Sequence, residues 1–247
     1  MRLTRVHVDA PLAVGLRVPL PAGVANHLQR VLRLTEGDHC VLFNGDGNDY
    51  DARIHAVGKR ELLVDVTASH GVESESPLPI TLVQGVARGE KMDWILQKAT
   101  ELGVVAFLAA DSERSEVRLD AARAARRVAH WRSVLASACE QCGRARVPAI
   151  DVPRPLSAAL AALPEGGTRL LLDPQGIRDI DGLALEDQLP MAVVLAVGPE
   201  GGWSPRDREH LHAAGFEGLR LGPRILRTET AGIAAVAALQ ARWGDLR

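Results

Sequence analysis

Cysteines and long apolar runs are scarce in this chain. Three cysteines among 247 residues are too few, and odd in number, for the disulfide framework of a secreted protein. No stretch approaches the roughly 20 apolar residues of a membrane-spanning helix, and the first residues lack the apolar core of a signal peptide. We therefore expect a cytoplasmic protein without a membrane segment.

Lysine is also rare. Of the 29 basic residues only Lys59, Lys91 and Lys98 are lysines, and the formal net charge is −2. This charge excludes a uniformly basic surface, so any contact with nucleic acid must come from local patches. Arginine suits bidentate binding of phosphates and base edges, although the base composition of the genome would produce the same bias.

Several motifs of common cofactor and metal sites are missing. The chain contains no GxGxxG fingerprint, no GxxxxGK[ST] loop and no HExxH, which disfavours dinucleotide, nucleotide-triphosphate and zinc-protease chemistry. Cys139 and Cys142 have CxxC spacing, but neither a second pair nor a histidine lies near them in the sequence. The pair is expected at the end of a long helix, which disfavours both a zinc site and a redox site. No metal is expected.

The first part of the chain is predicted to be a small β-barrel. Short alternating segments occur at 6–8, 14–18, 39–43, 50–57 and 61–66, and turn residues separate them. One helix is predicted over Gly23–Leu32, with Val24, Leu28, Val31 and Leu32 on one face. Residues 70–79 are polar and contain proline, as expected of a linker. The predicted domains are residues 1–72 and 73–247.

The second part of the chain alternates apolar strands with helices, which predicts a mostly parallel sheet covered on both faces. The predicted strands are Ile80–Val86, Val104–Ala109, Arg169–Leu172 and Met191–Val197. The predicted helices are Lys91–Leu102, Asp120–Cys139, Pro205–Ala214 and Thr228–Trp243. Gly103 is expected just after the end of the first of these helices.

A glycine-rich turn follows the buried strand at 193–197. The sequence GPEGG at 198–202 is followed by Ser204 and Pro205, which predict the N-cap and first position of a helix. Ligands of open α/β sheets bind beyond such strand ends. Glu200 would repel a pyrophosphate but suits a cationic ligand such as the sulfonium and amino groups of S-adenosylmethionine. A tight turn without a ligand is the alternative.

A second stretch, LGPRILRTETA at 221–231, mixes apolar and charged residues without regular periodicity, as expected of a loop that lines a pocket. Thr228 is the predicted N-cap of the last helix, with Glu229 in its favourable first turn. That helix is predicted to point Ile233, Val236, Ala237 and Leu239 inward. A capped loop with two solvated arginines is the alternative.

These stretches resemble the SPOUT superfamily of RNA methyltransferases. Within it, they resemble the family that methylates N3 of a uridine in the 16S ribosomal RNA of the small subunit. The matching segments are RGEKMDWILQKATELGV (88–104), ACEQCGRARVP (138–148), VGPEGGWS (197–204) and LGPRILRTETA (221–231), with weaker matches at RVLRLTEGD (30–38) and ALQARWGD (238–245). The matches extend over most of the chain.

The resemblance implies a fold, a cofactor and an assembly. It implies a small PUA-like β-barrel domain followed by a SPOUT-type α/β domain whose chain forms a trefoil knot. It also implies a homodimer that binds S-adenosylmethionine in three loops around Leu172-Asp173-Pro174, 198–202 and 221–228. The cofactor-binding residues predicted from it are Leu172, Gly198, Glu200, Gly201, Gly202, Leu221, Gly222, Ile225, Leu226 and Thr228.

The reaction that the resemblance implies requires removal of a proton from N3 of uracil. A base, or cations that stabilise the anion on O2 and O4, would promote this step. Arg227 is the candidate for stabilising the anion. Glu229 is the candidate base or the residue that orients Arg227, although it could equally be a helix-start carboxylate without chemistry.

The expected partner is 16S ribosomal RNA or the small ribosomal subunit. N3 lies on the Watson–Crick edge, so the target uridine must be unpaired or swung out. Basic residues cluster in the barrel and among the eight arginines between positions 114 and 146. The predicted RNA contacts are Arg2, Arg5, His27, Arg30, Arg33, Arg88, Lys91, Arg114, Arg144 and Arg146.

Two other functions are considered. A PUA-like RNA binder without turnover would keep the fold, and the intact motifs at 198–202 and 221–231 argue against it. A Rossmann-type dehydrogenase is disfavoured because its glycine fingerprint is missing. Titration with S-adenosylmethionine or with NAD distinguishes these alternatives.

Overall fold

The computed structural model describes residues 4–58, 62–117, 120–180, 182–183 and 192–246. The chain divides into two compact units. One takes the residues up to Glu75 together with Ala136–Val147, and the other takes Ser76–Leu135 and the residues from Pro148 onward. Residues 136–147, which include the end of a long helix, therefore belong to the first unit although they follow part of the second unit in the sequence. A single boundary in the chain cannot describe this division. The domain assignment made from the sequence stays a prediction.

The first unit is built on a five-stranded sheet. Its elements in chain order are β1 (Arg5–His7), β2 (Arg17–Leu20), α1 (Ala22–Asn26), β3 (His39–Phe43), β4 (Asn48–Val57) and β5 (Leu62–Gly71). The strand order is β1-β3-β4-β5-β2, with β1 parallel to β3 and the other pairs antiparallel. Alternate residues of the strands point into one apolar cluster that includes Val18, Leu42, Ile54 and Val64, as a half-buried sheet requires.

Two local predictions for this unit are wrong. The strand expected from Val14 begins only at Arg17, because Gly15 has φ +88° in a turn. The helix expected over 23–32 changes after α1 into a π-helical turn, His27–Val31, in which the Leu32 N–H bonds to the His27 carbonyl. The wider turn rotates the following residues, so Val31 is 65% exposed while Leu28 is buried.

The second unit contains a seven-stranded parallel sheet. Its strands are β6 (Ile80–Gly85), β7 (Val104–Asp111), β8 (Ala149–Ile150), β9 (Arg154–Pro155), β10 (Thr168–Leu172), β11 (Val193–Val197) and β12 (Glu217–Leu219). The order is β12-β10-β11-β6-β7-β8, and β9 also pairs with β7. All five residues of β11 are buried, as expected of a strand covered on both faces. The predicted parallel sheet is confirmed, and Met191, where one strand was predicted to begin, lies outside the described residues.

The helices of the chain after β6 are α2 (Glu90–Glu101), α3 (Ala121–Cys142), α4 (Leu156–Ala161), α5 (Pro205–Ala213) and α6 (Thr228–Trp243). Gly103 follows α2 with φ +87°, as predicted. Ser204 caps α5: its hydroxyl accepts from the Asp207 N–H while the Asp207 carboxylate accepts from the Ser204 N–H. The cap and the proline at the first helical position are therefore confirmed.

The predicted N-cap of α6 is wrong by one residue. Arg227 occupies the cap position without a capping hydrogen bond from its side chain, and Thr228 is already helical. The Thr228 hydroxyl is used elsewhere, donating to the Gly198 carbonyl at 2.6 Å. The buried face of α6 includes Val236 and Leu239, as predicted, whereas Ile233 and Ala237 are only half-buried. None of the described helices combines the length and the apolar composition that a membrane span requires.

Candidate cofactor cavity and active site

The loops that follow three neighbouring parallel strands enclose one cavity. β10, β11 and β12 all point their carboxyl ends toward it, because β10 pairs in parallel with both of the other two. The cavity has a volume of about 430 Å³, within the range of small-molecule sites. Its lining includes all ten cofactor-binding residues predicted from the sequence, namely Leu172, Gly198, Glu200, Gly201, Gly202, Leu221, Gly222, Ile225, Leu226 and Thr228.

The glycine turn after β11 is shaped by close approaches of backbone. Gly202 has φ +67°, and its N–H donates to the Pro199 carbonyl at 2.8 Å. Gly85, at the end of β6, lies so close that an added Cβ would be 2.4 Å from Pro199 Cδ and 2.7 Å from its nitrogen. Only a residue without a side chain fits at position 85 while the turn keeps this position.

Glu200 fixes the turn to the start of α2. One of its carboxylate oxygens accepts from the Lys91 ammonium and from the Arg88 backbone N–H, each at 3.1 Å. Burial alone would raise the pKa of Glu200, but hydrogen bonds from backbone N–H groups and from Lys91, together with the Lys91 charge, outweigh it and lower the pKa. Because Lys91 pairs with this carboxylate, Glu200 presents less free negative charge to the cavity than the sequence suggested.

Thr228 joins the two stretches that the sequence singled out. Its hydroxyl donates to the Gly198 carbonyl and accepts from the side-chain amide of Gln84 at 3.1 Å. The glycine turn and the start of α6 are therefore held against each other. Gln84 was not identified from the sequence, and the available signal was a glutamine within the largely apolar strand β6.

The two candidate catalytic residues line the same cavity. Arg227 is exposed and Glu229 is half-buried. The Oε2 atom of Glu229 is buried and has no hydrogen-bond partner within the part of the chain that the structure describes. A carboxylate oxygen in this state favours a cationic or hydrogen-donating group beside it, which is the chemistry expected of a methyl donor or of a uracil N–H.

The chain matches two family models. The model described as an RNA methyltransferase domain covers residues 74–240, and that of an RNA methyltransferase PUA domain covers residues 20–67. The chain belongs to this RNA methyltransferase family. The predicted family, and the fold class of a PUA-like unit followed by a SPOUT-type α/β unit, are thereby confirmed.

Individual relatives cover nearly the whole chain. The "Ribosomal RNA small subunit methyltransferase E" of Buchnera aphidicola is 31% identical over 99% of this chain and 98% of its own. A protein of that description from Neisseria gonorrhoeae, bound to S-adenosyl methionine, is 38% identical with a TM-score of 0.89 over 100% of both chains. A Legionella pneumophila protein in complex with the cofactor SAM is 34% identical with a TM-score of 0.93, again over 100% of both chains.

The residues of the cavity fit S-adenosylmethionine. Apolar side chains such as Leu172, Ile225 and Leu226 offer contacts for an adenine ring, and the glycine turn offers backbone groups. Glu229 supplies a carboxylate oxygen that has no partner among the described residues. The site thus combines an apolar wall with a few polar groups, as binding of a nucleoside that carries a cation requires.

An ion pair on the cavity wall was not foreseen. Arg208 of α5 pairs with Asp173, whose other carboxylate oxygen accepts from the Gln175 N–H. Asp173 belongs to a loop that the resemblance named, but nothing pointed to Arg208. The available signal was the position of Arg208 one turn after the Ser204 cap, on the helix α5 that follows the glycine turn.

Two predicted RNA contacts have a structural role instead. The side chain of Arg5 is only 7% exposed; it binds both carboxylate oxygens of Asp49 at 2.6 and 2.9 Å and donates to the carbonyls of Cys139 and Arg144. Arg144 is buried with both oxygens of Glu75 within hydrogen-bond distance. Because these guanidinium groups are enclosed and paired, the prediction that they contact RNA is corrected.

The other predicted RNA contacts differ in what they touch. In the first unit His27, Arg30, Arg33 and Arg146 are exposed. In the second unit Arg88 is exposed and pairs with Glu116, Arg114 is exposed and donates to the Gly201 carbonyl, and Lys91 pairs with Glu200. Arg2 lies outside the described residues.

The CxxC pair ends α3, as expected. Burial raises the pKa of Cys139 to about 12, and its sulfur lies 3.6 Å from the Arg146 carbonyl. Both observations describe a structural thiol rather than a reactive one. Within the described ranges, no group of three or more His, Cys, Asp or Glu residues is arranged to hold a metal ion.

Proposed function

We propose that this chain transfers a methyl group from S-adenosylmethionine to N3 of a uridine in 16S ribosomal RNA, in the cytoplasm and as a homodimer. The observation that carries the proposal is the single cavity formed by the glycine turn and the 221–228 loop, joined by the hydrogen bond from Thr228 to Gly198. Family membership and the relatives crystallised with S-adenosylmethionine support it.

The cavity residues must position a uracil and remove its N3 proton. When bound, S-adenosylmethionine supplies an electrophilic methyl group on a sulfonium sulfur. Glu229 accepts the N3 proton through the carboxylate oxygen that has no partner among the described residues. Arg227, the residue before α6, places its cation against the negative charge that then develops on O2 or O4. The deprotonated N3 would then be the acceptor for the methyl group that the bound cofactor supplies, and the residues of the cavity would contribute mainly by aligning the two.

RNA binding is proposed for the exposed basic residues of each unit. In the first unit these are His27, Arg30, Arg33 and Arg146. In the second unit Arg88 and Arg114 lie on segments that contact the glycine turn, so phosphate contacts there would hold the RNA close to the cavity. Lys91 also lines the cavity, although Glu200 already neutralises much of its charge.

The experiment that tests the proposal maps modified uridines in 16S ribosomal RNA by mass spectrometry, from cells with and without this gene. We expect one N3-methyluridine to disappear with the gene and to return with the wild-type copy. Persistence of every methyluridine in the deletion strain contradicts the proposed substrate. Binding of S-adenosylmethionine without any RNA methylation would support the alternative of an RNA binder without turnover.

Variants test the two catalytic assignments. Arg227→Ala and Glu229→Gln are expected to lower kcat by about 100-fold or more. Because S-adenosylhomocysteine lacks the sulfonium charge that the Glu229 carboxylate would face, its Kd, measured by calorimetry, is expected to change by less than about threefold. Arg242→Ala is the matched control, because Arg242 is exposed near the opposite end of the same helix α6. A wild-type kcat in Glu229→Gln would show that this carboxylate is not the base.

A further inference from the structure

Gln84 is a fully buried polar residue in β6, whose other buried residues are apolar. It precedes Gly85, the last residue of β6, and none of its surface is exposed. Its side-chain nitrogen, which carries two hydrogens, lies within hydrogen-bond distance of three oxygens: the Gly85 carbonyl at 2.9 Å, the Thr228 hydroxyl at 3.1 Å and the Gly198 carbonyl at 3.4 Å. One amide group thus contacts the end of β6, the glycine turn and the start of α6.

The contact with Thr228 determines the direction of a further hydrogen bond. A threonine hydroxyl has one hydrogen to donate. The Gln84 amide donates to the Thr228 hydroxyl, so the hydroxyl hydrogen is free to point at the Gly198 carbonyl, which lies 2.6 Å from the hydroxyl oxygen. Gln84 therefore fixes both the position and the polarity of the bond that joins the glycine turn to α6.

The orientation of the Gln84 amide follows from its surroundings. The Gly85 and Gly198 carbonyl oxygens at this end of the amide can only accept hydrogen bonds, so the nitrogen and not the oxygen must face them. The Gln84 oxygen is left buried without a hydrogen-bond partner among the described residues. A buried acceptor without a partner destabilises the folded state, so packing alone does not explain a glutamine at this position.

We infer that Gln84 is a positioning residue for the cavity, an inference that rests on the proposed function. Through Thr228 it sets the distance between the glycine turn and the start of α6, which form two walls of the cavity. It also fixes the residues on either side of Thr228, the catalytic candidates Arg227 and Glu229. Gln84 itself is outside the cavity lining and acts only through these neighbours.

The test is a double-mutant cycle with Gln84→Met and Thr228→Val, read out as the Kd of S-adenosylhomocysteine by calorimetry. Each single variant is expected to weaken binding about tenfold through loss of one well-placed hydrogen bond. The Kd of the double variant is expected to exceed the larger of the two single-variant Kd values by no more than about threefold, because both changes remove the same hydrogen-bond network. Thr228→Ser keeps the hydroxyl and is expected to bind within about twofold of wild type.

Gln240→Met is the matched control. Gln240 is also fully buried in this unit, near the other end of α6, and its amide nitrogen donates to the Leu102 carbonyl at 3.1 Å. The Gln240→Met variant is expected to have a lower melting temperature than wild type but the same Kd for S-adenosylhomocysteine. For Gln84→Met we expect kcat to fall as well, with the KM for RNA unchanged, which a residue that only stabilises the fold would not produce.

Three results separate this inference from the function on which it rests. Wild-type Kd and kcat in Gln84→Met would overturn the inference while leaving the proposed function intact. A double variant about 100-fold weaker than wild type, as independent effects predict, would also overturn it. If Gln84→Met does not fold, equal binding by Thr228→Val and Thr228→Ser overturns it. Failure of the wild-type protein to bind S-adenosylhomocysteine would overturn the proposed function and the inference together.

Discussion

A single methyl group at position 85 is expected to displace the glycine turn. In Gly85→Ala the new Cβ would lie 2.4 Å from Pro199 Cδ, 2.7 Å from the Pro199 nitrogen and 3.2 Å from the Gly198 carbonyl carbon. These are backbone atoms and a rigid ring, so they cannot move aside as a flexible side chain would. The turn must shift by about 1 Å to restore ordinary contact distances.

The size of the effect follows from this displacement. Overpacking of a buried site lowers stability by about 1–3 kcal/mol, which corresponds to a fall in melting temperature of about 2–4 °C per kcal/mol for a domain of this size. A misplacement of about 1 Å in a catalytic site can lower the rate about 100-fold. We therefore expect kcat/KM to fall by about two orders of magnitude while the protein still folds.

The assay is thermal melting together with calorimetric titration of S-adenosylhomocysteine and methylation of 16S ribosomal RNA. Gly232→Ala is the matched control, because a Cβ at position 232 of α6 would lie 3.6 Å from Val197, an ordinary contact. This control is expected to keep the wild-type Kd and to gain up to about 1 kcal/mol of helix stability. If Gly85→Ala melts and binds like wild type, the reasoning from the close approach of β6 to the turn is refuted.

Three further predictions concern stability and thiol reactivity. Ser204→Ala removes a buried capping box with Asp207 and is expected to cost about 1–2 kcal/mol in chemical denaturation, whereas Ser204→Asp should retain most of it. Because the pKa of Glu200 is lowered from 4.5, its stabilisation is fully present above that pH and is lost as the pH falls through the lowered pKa. The stabilities of Glu200→Gln and wild type should therefore differ at pH 7 and converge in acid. Burial raises the pKa of Cys40 to about 11 and of Cys139 to about 12, so at pH 8 Ellman's reagent should modify neither thiol until the protein unfolds.

The features that the sequence predicted well depend on neighbours in the chain. The helix start at Ser204 and Pro205 and the end of α2 before Gly103 are set within a few residues, so local chemistry was sufficient. The apolar strand at 193–197 was equally clear from its composition. The parallel sheet and the loops at 198–202 and 221–231 followed from composition and spacing, whereas the loop at 172–174 and the SPOUT type of the second unit were obtained only from the resemblance.

The features that the sequence did not predict depend on partners far along the chain. Arg5 was taken for an RNA contact, but its carboxylate partner Asp49 lies 44 positions away. Arg144 pairs with Glu75 across 69 positions. Gln84 contacts Thr228 across 144 positions. No local pattern distinguishes such a buried polar residue from a solvated one, because the difference lies entirely in the tertiary structure.

The most direct test of the central claim is a crystal structure of the protein with S-adenosylhomocysteine. We predict that the ligand occupies the cavity between the glycine turn at 198–202 and the loop at 221–228, in contact with Leu172 and with the start of α6. A ligand bound at another place on the protein, or a cavity that stays empty at saturating concentration, would contradict the account.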